Sequence, residues 1–161
     1  MSAGASGRVE VARPVVHTGE GSPSPCPRQG SGVKEHRLAR SPVLIVEDHP
    51  DSLELLTVLV ESRGHRVIAA TNGCDALKLA RQDRPGLIIL DLMLPLIDGA
   101  GVLREIARDP GLSEIPVLVC SASPDTEKTA LNGGASDWLQ KPWDVDTLLQ
   151  KLESLYRSPV P

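Results

Sequence analysis

Three short runs along the chain are wholly apolar: Val43-Leu44-Ile45-Val46, Leu87-Ile88-Ile89-Leu90 and Val117-Leu118-Val119-Cys120. Each ends at a polar residue, respectively Glu47-Asp48, Asp91 and Ser121. Four apolar residues without alternation predict a strand buried on both faces. Between the runs, apolar positions recur at helical spacing. Pro50 suits a first helical position, and Leu53, Leu56 and Val60 follow it, with Leu55 and Leu59 beside them, until Gly64 stops the pattern. Arg66 to Ala70 reads as a short strand. Asn72 with Asp75 three positions on resembles a capping box, opening a helix that turns Ala76, Leu77 and Ala80 inward. Asp98-Gly99 starts a third helix with Val102, Leu103 and Ile106, and Ser123-Pro124 starts a short fourth with Ala130 and Leu131. Trp138-Leu139-Gln140 is a brief last strand ending at Lys141-Pro142. Asp144 caps a fifth helix with Val145, Leu148, Leu149, Leu152 and Leu155 on one side. Five strand–helix units in about 120 residues predict an α/β fold, a doubly wound five-stranded parallel sheet covered on both faces. In such sheets the site lies beyond the carboxyl ends of the strands.

Charge divides the chain near residue 41. Residues 1–41 hold six Lys/Arg against three acids and 16 Gly, Pro or Ser, while residues 42–161 hold eleven Lys/Arg against eighteen acids. The first segment has few apolar residues and no period, so it is expected to form a disordered, low-complexity N-terminal tail. The domain is expected to span 42–157, with a short C-terminal tail at 158–161. The overall charge of −4 disfavours a generic nucleic-acid binder. Aromatics are only Trp138, Trp143 and Tyr156, which disfavours a stacking platform for single strands. No apolar stretch approaches a membrane span. Cys26, Cys74 and Cys120 have neither disulfide nor zinc spacing, which fits reduced thiols in the cytoplasm.

The polar residues at the predicted strand ends carry the chemistry. Glu47, Asp48 and Asp91 converge as hard oxygen donors, with no accompanying His/Cys set. Carboxylates brought that close need a divalent cation or a proton, and Mg²⁺ is the natural occupant. Lys141 and Ser121 at neighbouring ends add a cation and a hydroxyl. Together they suggest a metal-assisted phosphoryl site in which a carboxylate accepts the group as an acyl phosphate. His49 reads as an exposed loop residue and Cys120 as a small buried hydrophobe.

At residues 42–157 the chain resembles the receiver domain of two-component response regulators. The matching motifs are Val-Leu-Ile-Val-Glu47-Asp48, Leu-Ile-Ile-Leu-Asp91-Leu-Met-Leu-Pro95 running to Asp98-Gly99, Val-Leu-Val-Cys-Ser121-Ala122, and Gly134-Ala135-Ser136-Asp137-Trp138-Leu139-Gln140-Lys141-Pro142. The resemblance implies the flavodoxin-like strand order 2-1-3-4-5. It implies Asp91 as phosphoacceptor and also as a metal ligand, Glu47 and Asp48 as the acidic pair holding Mg²⁺, and the Met93 backbone carbonyl as a further metal ligand. It also implies Lys141 as the phosphoryl-pairing lysine, Ser121 as switch hydroxyl, Trp138 as switch aromatic, and a cis bond between Lys141 and Pro142. Trp138 is bulkier than the usual Tyr or Phe, and the interval from Ser121 to Gly134 is short, so the fourth helix should be short or irregular.

The implied function is a phosphorylation-dependent switch of a phosphorelay. It would take its phosphoryl group from a sensor histidine kinase or a histidine phosphotransfer protein, catalysing its own transfer and later autodephosphorylation. The alternative is a receiver-like interaction module acting without phosphate. A haloacid-dehalogenase-like phosphatase would need an acid where Met93 stands. No output domain is expected after the fifth helix. Output is expected through an unknown downstream protein on the face formed by the fourth helix, fifth strand and fifth helix. The phosphorylated chain is expected to stay monomeric.

Overall fold

The computed structural model describes residues 41–156. The expected tails, apart from Ser41, lie outside the described residues. The elements in chain order are β1 (Val43–Val46), α1 (Pro50–Ser62), β2 (Val67–Ala70), α2 (Gly73–Asp83), β3 (Leu87–Leu90), α3 (Gly99–Arg108), β4 (Val117–Ser121), α4 (Thr126–Gly133), β5 (Asp137–Gln140) and α5 (Val145–Leu155). The five strands are all parallel, in the order β2-β1-β3-β4-β5.

The wholly apolar runs became β1, β3 and β4, and every residue of these strands is buried. They pair in the middle of the sheet, so each face meets a separate apolar layer. On one face Leu44, Val46, Ile88, Leu90, Val117 and Val119 pack with Ala76, Ala80, Val102, Leu103, Ile106 and Ala130 of α2, α3 and α4. On the other, Val43, Ile45, Leu87, Ile89, Leu118 and Cys120 pack with Leu56, Val60, Leu148 and Leu152 of α1 and α5. The two-residue period of a strand divides its side chains between the two layers.

Side-chain caps fix the starts of three helices. Asn72 accepts from the Asp75 N–H at 2.9 Å and its own amide donates to the Asp75 carboxylate at 2.8 Å. Asp98 accepts from Gly101 N–H at 2.6 Å, and Asp144 from Thr147 N–H at 2.9 Å. Each satisfies an amide that the first helical turn leaves without a partner.

Two helix faces differ from their sequence pattern. α4 begins at Thr126 rather than at Ser123-Pro124, and it turns Thr126 and Ala130 inward while Leu131 is 66% exposed. Val145 opens α5 but is itself largely outside the core, which takes Leu148, Leu149 and Leu152 instead. Among the described residues, no helix is long and apolar enough to cross a membrane.

Candidate functional site

Backbone pairing carries the polar residues just past their strands to one edge of the sheet. Glu47 N–H donates to Ala70 O at 3.0 Å, Asp91 N–H to Val46 O at 3.0 Å, and Lys141 N–H to Ser121 O at 2.9 Å. The ladder therefore runs one step beyond β1, β3 and β5 and fixes where the following side chains start. Burial differs sharply among them. Glu47, Asp91 and Ser121 are buried, whereas Asp48 and His49 are exposed on the loop that leaves β1.

Lys141 joins the two recessed acids. Its Nζ lies 2.6 Å from Glu47 Oε2 and 2.6 Å from Asp91 Oδ2. The second oxygen of each carboxylate is bound by backbone: Glu47 Oε1 accepts from His49 N–H at 3.2 Å, and Asp91 Oδ1 from Met93 N–H at 2.9 Å. Burial works against the Lys141 charge, but the hydrogen bonds and charges of Asp91 and Glu47 outweigh it and raise the lysine above its ordinary pKa. The ammonium is thus fully protonated at neutral pH. The Lys141–Pro142 peptide is cis.

The charge count favours a cation. Two carboxylates, Glu47 and Asp91, share the one ammonium of Lys141, and Asp48 is the exposed neighbour of Glu47 in the chain. Oxygen donors with a negative surplus and no imidazole or thiolate among them suit a hard divalent ion such as Mg²⁺. Among the described residues, no three acidic, histidine or cysteine side chains lie close enough together to form a finished metal cage. Lys141 spans Glu47 and Asp91, and Asp48 faces solvent. Such a partial set matches an ion that keeps several waters of its own. Met93 stands two residues beyond Asp91 with its side chain 64% exposed, so only its backbone belongs to the cleft.

Ser121 ends β4 fully buried, and its Oγ accepts from Ser123 N–H at 3.4 Å. Thr126 Oγ1 donates to Ser123 O at 2.5 Å and closes the turn into α4. Trp138 is paired in register with Val119, and both belong to the layer that holds Ala130 of α4. Ser121 is two residues after Val119, so its side chain leaves the sheet on that same face. Trp143 packs against the opposite layer, the one that holds the buried residues of α1 and α5. Of the residues read from the sequence, Glu47 and Asp91 are each bonded to Lys141, and Ser121 and Trp138 share a sheet face beside α4. The expected convergence of Asp48 with the other two carboxylates is not seen, because Asp48 is exposed on the loop that leaves β1. Cys120 is buried in the layer below, where desolvation pushes its thiol up to about 12, so it stays protonated and unreactive.

Sequence reasoning missed two structural residues of the site. Gly99 seats the start of α3 directly against the Asp91 backbone: a Cβ there would stand 2.2 Å from Asp91 O and 2.5 Å from Leu92 Cα. Leu96, in the loop between, has a left-handed φ of 70°. The Asp98-Gly99 pair could have suggested the first, as a glycine wherever backbones close up, but nothing local marks the second.

Comparison with known proteins bears on the whole arrangement. The family profile of the response regulator receiver domain matches residues 43–153. Protein PilH of Pseudomonas aeruginosa is 36% identical over 116 residues, covering 70% of this chain and 95% of PilH. The polar-differentiation response regulator DivK of Brucella anthropi is 34% identical over 114 residues, covering 70% of this chain and 93% of DivK. The transcriptional regulator RpaA of Synechocystis is 37% identical, but the match covers only 48% of its length. Among solved structures, the receiver domain of the sensor histidine kinase PA1611 of Pseudomonas aeruginosa aligns with a TM-score of 0.67 at 28% identity, over 73% of this chain and 98% of that one. That structure holds a magnesium ion in its active-site cleft.

Proposed function

The chain belongs to the response regulator receiver domain family, and on that premise we propose how its own residues run a phosphorylation-dependent two-component switch. Asp91 is the phosphoacceptor. The observation that carries this is the placement of its recessed carboxylate, bonded at 2.6 Å to a lysine that also holds Glu47.

An Asp91 oxygen attacks the phosphorus of a phosphohistidine on a kinase or phosphotransfer protein. The O–P bond of an acyl phosphate forms as the P–N bond breaks, and the leaving imidazole takes up a proton. Lys141 gives up its contact with Asp91 Oδ2 and pairs with a phosphoryl oxygen. Ser121 offers its hydroxyl to another. Glu47, Asp48 and the Met93 carbonyl would hold Mg²⁺, which supplies positive charge against the phosphoryl oxygens as the loose transition state forms. Met93 N–H keeps Asp91 oriented throughout. Water later attacks the same phosphorus, the O–P bond to Asp91 breaks, and inorganic phosphate leaves Asp91 as the free carboxylate, which resets the switch. The direct test is labelling by acetyl phosphate with and without Mg²⁺. One phosphoryl group per chain, dependent on the ion, is expected. Binding of partners with no labelling would instead favour an interaction module that works without phosphate.

The response to phosphorylation runs through Ser121 and Trp138. A hydroxyl drawn toward the phosphoryl group leaves space on the face it shares with Trp138, and the indole turns into it. A coupling of about 1–3 kcal/mol is the usual size of such links. In a Trp143→Phe background, Trp138 fluorescence should change on adding Mg²⁺ and beryllofluoride, and Ser121→Ala should abolish that change. An unchanged signal in the background protein would make Trp138 a static core residue.

Output goes to a separate protein on the face of α4, β5 and α5, working in the cytoplasm, where free thiols such as Cys74 and Cys120 persist. Leu131 of α4 is exposed and open to an apolar contact with such a partner. Its charges are few, and Asp137 is already paired with Lys151 at 2.5 Å within the chain, leaving little for salt bridges to a second copy. Sedimentation with and without beryllofluoride should give a monomer in both states. A dimer formed only with beryllofluoride would make self-association the output.

A further inference from the structure

The loop after Asp91 carries a feature that the phosphoryl chemistry does not use. Leu96 combines a left-handed φ of 70° with 85% exposure. In that region the Cβ of an L-residue crowds the backbone carbonyl, so a bulky side chain is there against the local preference.

The loop's own anchors impose this conformation. Leu94 and Ile97 pack against the core layer of α2 and α3. Gly99 N–H donates to Leu92 O at 3.0 Å and closes the loop back onto the strand end. With Leu94 and Ile97 turned in, Met93 and Leu96 are turned out, at 64% and 85% exposure. A strained position that keeps a large apolar side chain in water points to a use for that side chain.

Its location indicates what the use is. The Asp91 carboxylate is recessed, with the residue only 6% exposed. Leu96 is three residues from Gly99, which abuts the Asp91 backbone. At 3.3–3.6 Å per residue its Cα stays within about 11 Å of Gly99 and so on the rim above Asp91. A protein that delivers a phosphoryl group to so recessed an oxygen must lay its surface over this rim. A small phosphodonor need not touch it.

We propose that Leu96, with Met93 beside it, is an apolar docking knob for the protein phosphodonor, which presents an apolar pocket next to its phosphohistidine. The inference rests on Asp91 being the phosphoacceptor. Leu96 itself touches no reacting atom and acts by positioning the donor.

Asparagine accepts a left-handed φ readily, so Leu96→Asn removes the knob and keeps the loop. Full-length wild type, Leu96→Asn and Leu96→Met are labelled with acetyl phosphate and Mg²⁺. In parallel they are labelled with the phosphorylated histidine kinases and phosphotransfer proteins of the same organism, using the one that labels wild type fastest. Leu96→Asn should take label from acetyl phosphate at the wild-type rate. It should be slowed by about tenfold or more with the protein donor, the scale of a lost interface anchor. Leu96→Met should restore the protein-donor rate, and the thermal midpoint of Leu96→Asn should be no lower than wild type. An unchanged protein-donor rate in Leu96→Asn, equal slowing with both donors, or a panel in which no protein labels the wild type would overturn the docking role. So would a wild-type dimer in sedimentation that Leu96→Asn abolishes, since the knob would then serve a second copy. Failure of wild type to take label from acetyl phosphate would instead overturn the assignment of Asp91 and, with it, this inference.

Discussion

An Asp91→Asn protein should take no label from acetyl phosphate at any Mg²⁺ concentration that supports labelling of the wild type. The loss should be at least about a thousandfold, or more than about 4 kcal/mol of barrier. The reason is chemical rather than steric. The amide has almost the same shape, and its oxygen can still accept the Met93 N–H that now reaches Asp91 Oδ1 at 2.9 Å. What disappears is the carboxylate oxygen proposed as the nucleophile, and no amide replaces it in that role at neutral pH. Lys141 also loses one of the two carboxylates it holds. It keeps Glu47, so the fold should survive, and an unchanged far-ultraviolet circular dichroism spectrum would establish that. Intact-mass analysis after acetyl phosphate treatment checks the prediction. Labelling of the variant equal to wild type would move the acceptor elsewhere, with Asp48 the nearest exposed carboxylate in sequence to the cleft.

The fold was legible wherever one residue type had to dominate. Runs such as Leu87-Ile88-Ile89-Leu90 leave no polar side for a strand, so a sheet covered on both faces was the only economical reading, and every residue of that strand is buried. Local caps were equally readable because donor and acceptor lie three residues apart, as at Asn72 and Asp75. The weakest positions were those where an apolar residue stood one step off the inward face. Thr126 and Ala130 define the buried line of α4, and Leu131, about 100° further round the helix, points to water. Nothing in the sequence of a helix of eight residues distinguishes Leu131 from Ala130 as the inward position.

Within the candidate site, the residue types were legible but their mutual contacts were not. Strand ends placed Glu47, Asp91 and Lys141 on one edge. Yet the bond from Lys141 to Glu47 closes over 94 residues of sequence, and its existence depends on sheet order rather than on local pattern. The two-residue period of β1 sends alternate side chains into two buried layers, so it does not by itself separate the exposed Asp48 from the buried Glu47. Leu96 was invisible because its conformation is set by the inward packing of Leu94 and Ile97 on either side.

Gly99→Ala should be the most damaging conservative substitution next to the site. A methyl group there would meet Asp91 O at 2.2 Å, Leu92 Cα at 2.5 Å and Asp91 C at 2.9 Å. All three are backbone atoms, so no side-chain rotation relieves the contact. Either α3 lifts from the end of β3, breaking the 3.0 Å bond from Gly99 N–H to Leu92 O, or Asp91 itself shifts. Overpacking usually costs about 1–3 kcal/mol, and contact with fixed backbone belongs at or above the upper end. A loss of about 3 kcal/mol is a large share of a typical domain's total stability, and in a domain of this size it lowers the melting temperature by about 10 °C or more. Gly101→Ala, one half-turn along the same helix, is the control. Its methyl would meet side chains only, Asp98 Oδ1 at 2.9 Å and Ile97 Cγ2 at 3.0 Å. Ile97 Cγ2 can move; shifting Asp98 Oδ1 strains the cap it makes to Gly101 N–H, and alanine's better helix propensity offsets that adjustment by up to about 1 kcal/mol. Urea unfolding of the two variants should therefore separate them by about 2 kcal/mol or more, from the backbone contact at Gly99. If they lose stability equally, the close approach of α3 to the Asp91 backbone is not what requires glycine. The functional consequence follows from the same displacement. Asp91 must keep its oxygen within 2.6 Å of Lys141 while the main chain that carries it is pushed away, so acetyl phosphate labelling should slow in Gly99→Ala under conditions where the protein remains folded, and stay near wild type in Gly101→Ala.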